Sequence, residues 1–384
     1  MSSRDAPARR LPRLELPAGP GRRRGEAHGE HFRRPIHEIA RIRLDLALAQ
    51  GRFRSEDEVL DVARAHLPVL DRWDRDLADE LVGIAHGADL DLARVVVLNH
   101  YTDLKDIDPA RPEGPSASRG DDEDCSAVAA GTGDGPLLAQ TWDMHGSAEP
   151  FVAMLRVPEV EGAPEAWVFT IAGCVGMTGL NAAGLGVTIN NLKSRDARVG
   201  VVWPALVRRL LREPSARAAR HALVTAPLSS GHHYLLADAD EALAIETSGG
   251  RKEEVWSTAW AQRGERSPPS FVHTNHALGG SIAEVSWVPE TSTTHARYDA
   301  LCAGLDEAPI AGRGDLWARL GSHDGYPRSV CTHLASPAFP HGMKTCGGLL
   351  MELGPRRLWA AAGCLNGVAP EAFAPGGAPA DGVW

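Results

Sequence analysis

The sequence predicts an α+β protein: two packed sheets covered by helices on both outer faces, preceded by a helical segment. Three observations carry this. Apolar residues recur at helical spacing between residues 30 and 99. A Pro/Gly-rich, acidic stretch then interrupts the chain at 106–124. From residue 125 the texture changes to short apolar strands in antiparallel pairs, interrupted by paired helices.

The elements follow in order. Residues 1–24 are rich in Arg, Pro and Gly and read as a disordered basic tail. A helical segment, 25–124, comes next. Ile36, Ile39, Ile42 and Leu46 keep helical spacing up to Gly51. Ser55-Glu56-Asp57-Glu58 is a capping box that starts a helix carrying Val59, Leu60, Val62 and Ala63. A further helix is expected from about Asp71 to His86, with Gly87 placed to end it, and a fourth from Asp91 to about Asn99. Residues 106–124 form a linker by composition, and exposed loop backbone is where a chain is most readily cut.

In the segment 125–384, strands are expected at Ser126–Ala130, Leu137–Asp143, Phe151–Val157, Trp167–Ala172, Leu185–Asn190, His233–Ala237 and Ala242–Glu246. Phe271–Thr274, Leu349–Leu353 and Leu358–Ala362 complete the set. Helices are expected at Trp203–Leu211, Ser215–Val224, 292–305 and 313–320.

Composition narrows the function. The 384 residues carry a formal charge of −10, with 43% apolar and 23% charged residues, which argues against general nucleic-acid binding. The first 34 residues hold nine Arg and no Lys, but no apolar stretch of a secretory signal. No apolar run reaches spanning length, so no membrane is expected and the location is expected to be cytoplasmic. The six cysteines (125, 174, 302, 331, 346, 364) lack CxxC pairs, which argues against a zinc ribbon or disulfide framework and fits a reducing compartment. His28-Gly29-Glu30-His31 with His37 resembles a metal set, yet Gly29 weakens the helix that such spacing requires. His232 and His233 alternate faces of a strand. Neither a metal nor an organic cofactor is expected.

Cys125 is the candidate nucleophile. It opens a strand directly behind the linker, a good position for a thiol exposed by cutting the chain at Asp124–Cys125. A free α-amine on that cysteine has a pKa of about 7.7–8.0 and can act as general base for its own thiol. The hairpin partner Gln140-Thr141-Trp142-Asp143 brings Asp143 to the same end, where a carboxylate can hold and tune the amine, or merely cap a turn.

The order Cys125, then Gln140-Thr141-Trp142-Asp143, then Gly179-Leu180-Asn181-Ala182-Ala183-Gly184-Leu185-Gly186-Val187, then His273-Thr274-Asn275-His276 resembles the acyl-coenzyme A:6-aminopenicillanic acid acyltransferase family (peptidase C45 type). Gly25-Glu26-Ala27-His28-Gly29-Glu30 is similar to the family's glycine-rich opening of its pro-segment. The resemblance runs from about residue 20 to 365. It implies the αββα sandwich of the N-terminal-nucleophile (Ntn) hydrolases, with 25–124 as a pro-segment, self-cleavage at Asp124–Cys125, and a heterodimer of the two fragments. By the same resemblance Asp143 lies beside the nucleophile's amine, Asn275 orients the nucleophile or stabilises the oxyanion, and Asn190 supports the oxyanion. Asn191 is the alternative to Asn190, one residue along, and both asparagines can also be read as turn caps. Trp142 and His273 stand beside these motif positions. In the segment Tyr326-Pro327-Arg328-Ser329-Val330-Cys331 the family's following arginine is replaced by Thr332, leaving Arg328 and His333 as substitutes to be tested.

The expected function is therefore a self-processing N-terminal cysteine amidohydrolase or acyltransferase, acting on a small amide, peptide-like substrate or other acyl donor through a Cys125 thioester. Coenzyme A thioesters enter as acyl donors by resemblance alone, and homo-oligomers of the processed pair are compatible with the sequence. The competing readings are an acyl-CoA-dependent N-acyltransferase of the same family, a papain-like enzyme pairing Cys125 or Cys174 with a histidine, and a non-catalytic Ntn-like binding protein.

Overall fold

A computed structural model describes residues 10–110, 124–261, 269–377 and 384. The chain opens with strand β1 (Arg13–Glu15) and five helices: α1 (Gly21–His31), α2 (Arg33–Gln50), α3 (Glu56–Trp73), α4 (Arg75–Ala88) and α5 (Leu92–Asp106). Strands β2 (Ala127–Ala130), β3 (Leu137–His145), β4 (Val152–Val157), β5 (Ala166–Ile171), β6 (Thr178–Asn181) and β7 (Gly186–Leu192) follow. Then come α6 (Trp203–Leu210), α7 (Ala216–Thr225), β8 (Gly231–Ala237), β9 (Glu241–Thr247), β10 (Lys252–Ala259) and β11 (Ser270–His273). Helices α8 (Gly280–Ala283), α9 (Thr294–Glu307) and α10 (Arg313–Leu320) precede β12 (Met343–Glu352), β13 (Arg357–Ala362) and β14 (Glu371–Phe373).

The strands form two sheets, one in the order β1-β4-β5-β6-β7-β8-β9-β10 and the other β11-β2-β3-β12-β13-β14. They pack face to face through β2 and β3 against β7 and β8, while α7 covers the first sheet and α9 and α10 the second. This is the expected four-layer αββα sandwich. Strands of the inner layers are buried on both faces, so β3 and β8 read as continuous apolar-to-neutral runs and not as alternations.

Several local expectations are corrected. Residues 13–15 are not part of a loose tail: β1 pairs in parallel with β4, and the helix beginning at Gly21 buries Arg24 between Asp76 and Glu80. An arginine-rich stretch looks solvated until its carboxylate partners, some fifty positions away in sequence, are placed. Residues 1–9 and 111–123, with most of the expected linker, lie outside the described residues. Asp106 and Ile107, its expected start, are buried at the end of α5.

The helix expected from about Asp71 to His86 is α4 and starts at Arg75, residues 71–73 being the end of α3. Asp74 adopts an extended conformation and its carboxylate accepts the Leu77 amide at 3.0 Å, which ends α3 and starts α4. The terminator is Asp89, left-handed at φ 57°, and not Gly87. Gly87 instead lets α1 and α4 touch: a Cβ there would sit 2.2 Å from the Glu26 carbonyl oxygen, and one at Gly25 would sit 2.0 Å from that of Glu80. Gly29 lies in the same contact, within an intact α1, so helix interruption is not what disqualifies His28 and His31 as ligands. His28 is buried and its Nε2 accepts the Gly173 amide at 2.9 Å.

Candidate active site

Cys125 lies just before β2, where the chain enters the second sheet, and is 7% exposed. The antiparallel register Ala127↔Gln140 continues outward as Thr141 N–H to Ser126 O (2.9 Å) and Asp143 N–H to Asp124 O (3.0 Å). That register sets Asp143 beside the Asp124–Cys125 peptide. The Asp143 amide and the Gln140 side chain lie close enough to the thiol to favour its ionised form against burial.

Three other elements converge on Cys125 through the peptides on either side of it. The Cys125 N–H donates to Asn275 Oδ1 (2.7 Å), on the loop after β11. The Cys125 carbonyl accepts from Asn190 Nδ2 of β7 (3.0 Å) and from Arg297 Nη1 of α9 (2.9 Å). Arg297 also donates to Ser126 Oγ, Asn275 Oδ1 and Thr293 Oγ1, and pairs with Asp124 at 3.1 Å. Thr293 Oγ1 in turn donates to the other Asp124 carboxylate oxygen at 2.9 Å. Arg297 is fully buried and every polar edge of its guanidinium is used, the geometry in which a buried cation is tolerated.

Behind Asn190 runs a second chain of contacts. Asn190 Oδ1 lies 2.8 Å from His233 Nδ1, and His233 stacks on His273 with ring centroids 3.6 Å apart. His273 Nε2 meets Glu246 at 2.8 Å, whose carboxylate also takes the Leu278 and Gly279 amides. With Asn190 Nδ2 donating to Cys125, its Oδ1 is an acceptor, so His233 carries its proton on Nδ1. Burial holds His233 well below the usual histidine range, so the ring is neutral.

The electrostatics follow from burial. Desolvation pushes the Cys125 thiol up to about 12, and the Asp143 carboxylate adds to the rise. Desolvation likewise lifts Asp143 to about 7; Arg297 and the hydroxyls of Thr345 and Thr141 oppose it. A carboxylate half-ionised near neutral pH sits next to a thiol that does not ionise unaided.

Residues 130–318 match the model of the family described as acyl-coenzyme A:6-aminopenicillanic acid acyl-transferase, a stretch holding Asp143, Asn190, Asn275 and Arg297. The acyl-coenzyme A:6-aminopenicillanic-acid acyltransferase (40 kDa form) of Emericella nidulans is 27% identical over 266 residues, covering 68% of each chain. This chain is a relative of those acyltransferases. Its class is that of an enzyme, similar in sequence to those acyltransferases. Among solved structures, the Caenorhabditis elegans ortholog of N-acylethanolamine-hydrolyzing acid amidase superposes with a TM-score of 0.42 at 13% identity, over 60% of this chain and 93% of that one. Penicillin V acylase from Agrobacterium tumefaciens gives 0.38 at 12% identity, over 65% and 84%. At those scores neither carries the argument, which rests on the sequence matches and on the two sheets themselves.

Of the residues singled out in the sequence, the structure gathers Cys125, Asp124, Asp143, Asn190 and Asn275 into one cluster. Asn191 contributes its carbonyl, which accepts Asn275 Nδ2 at 2.9 Å; strand alternation turns its side chain the other way. His273 is at one remove, through His233. Trp142 is core, edge-on to Phe169 between the sheets. The two proposed arginine substitutes are elsewhere: Arg328 is exposed and bonds the Thr291 carbonyl, and His333 lies against Cys331. The cation at the site is Arg297, which the sequence reading missed. Its one local signal is a charged residue at the helix position four after Thr293, facing inward, and nothing in the chain order ties that position to Cys125.

Proposed function

We propose that Cys125 is the nucleophile of a self-processing amidohydrolase or acyltransferase. The observation carrying this is the capture of the Asp124–Cys125 peptide: its carbonyl accepts the Asp143 amide, its N–H faces Asn275, and the thiol lies between Asp143 and Gln140. In the uncut chain Asp143 takes the thiol proton, a task suited to a base poised near 7. The sulfur adds to the Asp124 carbonyl carbon, and the oxyanion forms on the oxygen already held by the Asp143 N–H. Collapse breaks the C–N bond, the nitrogen takes the proton back, and water hydrolyses the resulting thioester. The products are the Asp124 α-carboxylate and a free thiol with an α-amine at Asn275.

Turnover repeats the cycle on a substrate. The amine accepts the thiol proton, the thiolate attacks an amide or thioester carbonyl, and the leaving group departs protonated. Water gives hydrolysis; an amine gives acyl transfer. Hydrolysis is the first reading, because transfer requires a site that binds an amine and excludes water. The coenzyme A in the Emericella nidulans relative's name is the reason to include thioesters among the acyl donors tested. The fragments stay together as a heterodimer, since β1 is built into the first sheet and α5 into the core. No described helix is long and apolar enough to cross a membrane, and the described cysteines are free thiols; we place the enzyme in the cytoplasm.

Intact mass decides the central claim. Wild type should separate under denaturing conditions into fragments meeting at Asp124–Cys125, while Cys125→Ala remains a 41.0 kDa chain. Two uncut chains, with Cys125 no more reactive to alkylation than the other thiols, would favour the non-catalytic reading. An uncut but active chain, silenced by replacing a histidine, would favour the papain-like one.

A further inference from the structure

Away from Cys125, the loop between α10 and β12 and the segment after β13 bring together two cysteines and two histidines. Cys331 Sγ lies 3.7 Å from Cys364 Sγ and 3.5 Å from His333 Nε2, and Cys364 Sγ lies 3.3 Å from His323 Nε2. All four donor atoms fall within 4.8 Å of one another. Tetrahedral zinc has bonds of about 2.3 Å to sulfur and 2.0–2.1 Å to nitrogen, so its ligand edges measure about 3.8 Å for S···S and about 3.5 Å for S···N. The S···S separation of 3.7 Å and the S···N separations of 3.5 and 3.3 Å lie near those edges. We propose that His323, Cys331, His333 and Cys364 form a structural Zn2+ site, independent of the reaction at Cys125.

The surroundings suit a closed site. Cys331 is fully buried in the smaller core beside Trp317, Leu320 and Leu365. The backbone is pinned where it supplies ligands: Cys331 N–H donates to Ser322 O (3.1 Å) and His333 N–H to Pro327 O (2.9 Å). Tyr326 covers both imidazoles, with ring centroids 5.5 Å from His323 and 5.4 Å from His333. With four protein ligands the site has no open position for substrate, the mark of a structural ion. Loading Zn2+ forms two Zn–S and two Zn–N bonds and releases the two thiol protons to solvent.

The ion would fasten a long, mostly irregular loop. Residues 321–342 hold no helix or named strand, and Cys364 ties them to the end of β13. Fixing Cys331 and His333 also fixes Thr332 between them. Its amide donates to Thr345 Oγ1 (2.8 Å) and its carbonyl accepts the Thr345 amide (2.9 Å). Thr345 stands opposite Asp143 in the sheet. A disulfide between Cys331 and Cys364 is the rival use of the two sulfurs, but it leaves unexplained why two imidazoles converge on them.

Metal analysis of the full chain tests this. Protein purified without chelator should carry one zinc per chain, retained in Cys125→Ala and reduced at least tenfold in Cys364→Ser and in His323→Ala. The metal-stripped protein should bind Co2+ with tetrahedral ligand-field bands and thiolate charge-transfer absorption, and stripping should lower the melting temperature. Should Cys364→Ser fail to fold, His323→Ala, altered only at a half-buried loop ring, is the deciding variant. The proposal is overturned by a chain that takes up neither Zn2+ nor Co2+, by uptake unchanged in the variants, or by a Cys331–Cys364 disulfide in freshly alkylated protein.

Discussion

Two cysteine centres sit in this molecule, and they differ in what surrounds the sulfur. Cys125 has one thiol among backbone amides, two asparagines, a carboxylate and an arginine, with no histidine nitrogen bonded to the sulfur among the described residues. Cys331 and Cys364 face each other with an imidazole against each. The first set can polarise a carbonyl and move a proton. The second offers two thiols and two imidazoles, the donor types that a structural zinc takes. Burial alone does not distinguish a nucleophile from a ligand; the partners do.

The largest expected effect separates the two directly. Cys125→Ala should abolish processing and lower turnover by ~10⁴-fold or more, while zinc content stays unchanged. Mass spectrometry and metal analysis of one preparation check both halves.

Arg297→Ala comes next. It removes the charge partner of the buried Asp124 carboxylate and one of two side-chain donors to the Cys125 carbonyl, and should destabilise the uncut Cys125→Ala chain by about 3–5 kcal/mol. Adding Asp124→Ala should recover part of that loss in denaturant melts; no recovery would remove the ion pair from the explanation.

The processing rate should depend on pH through Asp143. Its proton is lost near 7, and the base form is the active one, so the rate should fall about tenfold per unit below that value and level off above it. Asn275→Ala, which leaves the Cys125 N–H unoriented, should slow processing by ~10²-fold without moving that midpoint. A shifted midpoint would make Asn275 part of the proton transfer.

The smallest effect concerns folding. Buried His28 and His66 are held down to about 4 and His100 to about 3, so the folded state binds fewer protons than the unfolded one between their values and 6.5. Stability should therefore fall as pH drops from 6.5 towards 4. Asp143, lifted to about 7, and Asp106, lifted to about 6, act in the opposite sense over part of that range. The histidines outnumber them, so thermal melts of Cys125→Ala should show a net decrease of a few °C on acidification, about 2–4 °C per kcal/mol for a chain of this size or less.

The candidate site was legible in two ways: the Cys125–Asp143 pairing is local to a hairpin, and Asn190 and Asn275 came with the family resemblance. One hairpin register fixes Asp143 against Cys125, and strand alternation selects Asn190 over Asn191. The elements were legible where periodicity is strong. β1, β6, β10 and β14 were not, being short or at sheet edges, where partners and not propensity decide.

What the sequence determined by itself, then, was the order of the longer helices and of most strands, and the hairpin that presents Cys125, since these follow from patterns a few residues long. The tertiary structure decided the cation and the second cysteine centre. Arg297 reaches Asp124 from 173 positions further along, and Cys364 reaches Cys331 across 33, through two strands. No periodicity links such positions; only the packing of α9 on β11, and the loop folded against the end of β13, brings their charges and sulfurs together.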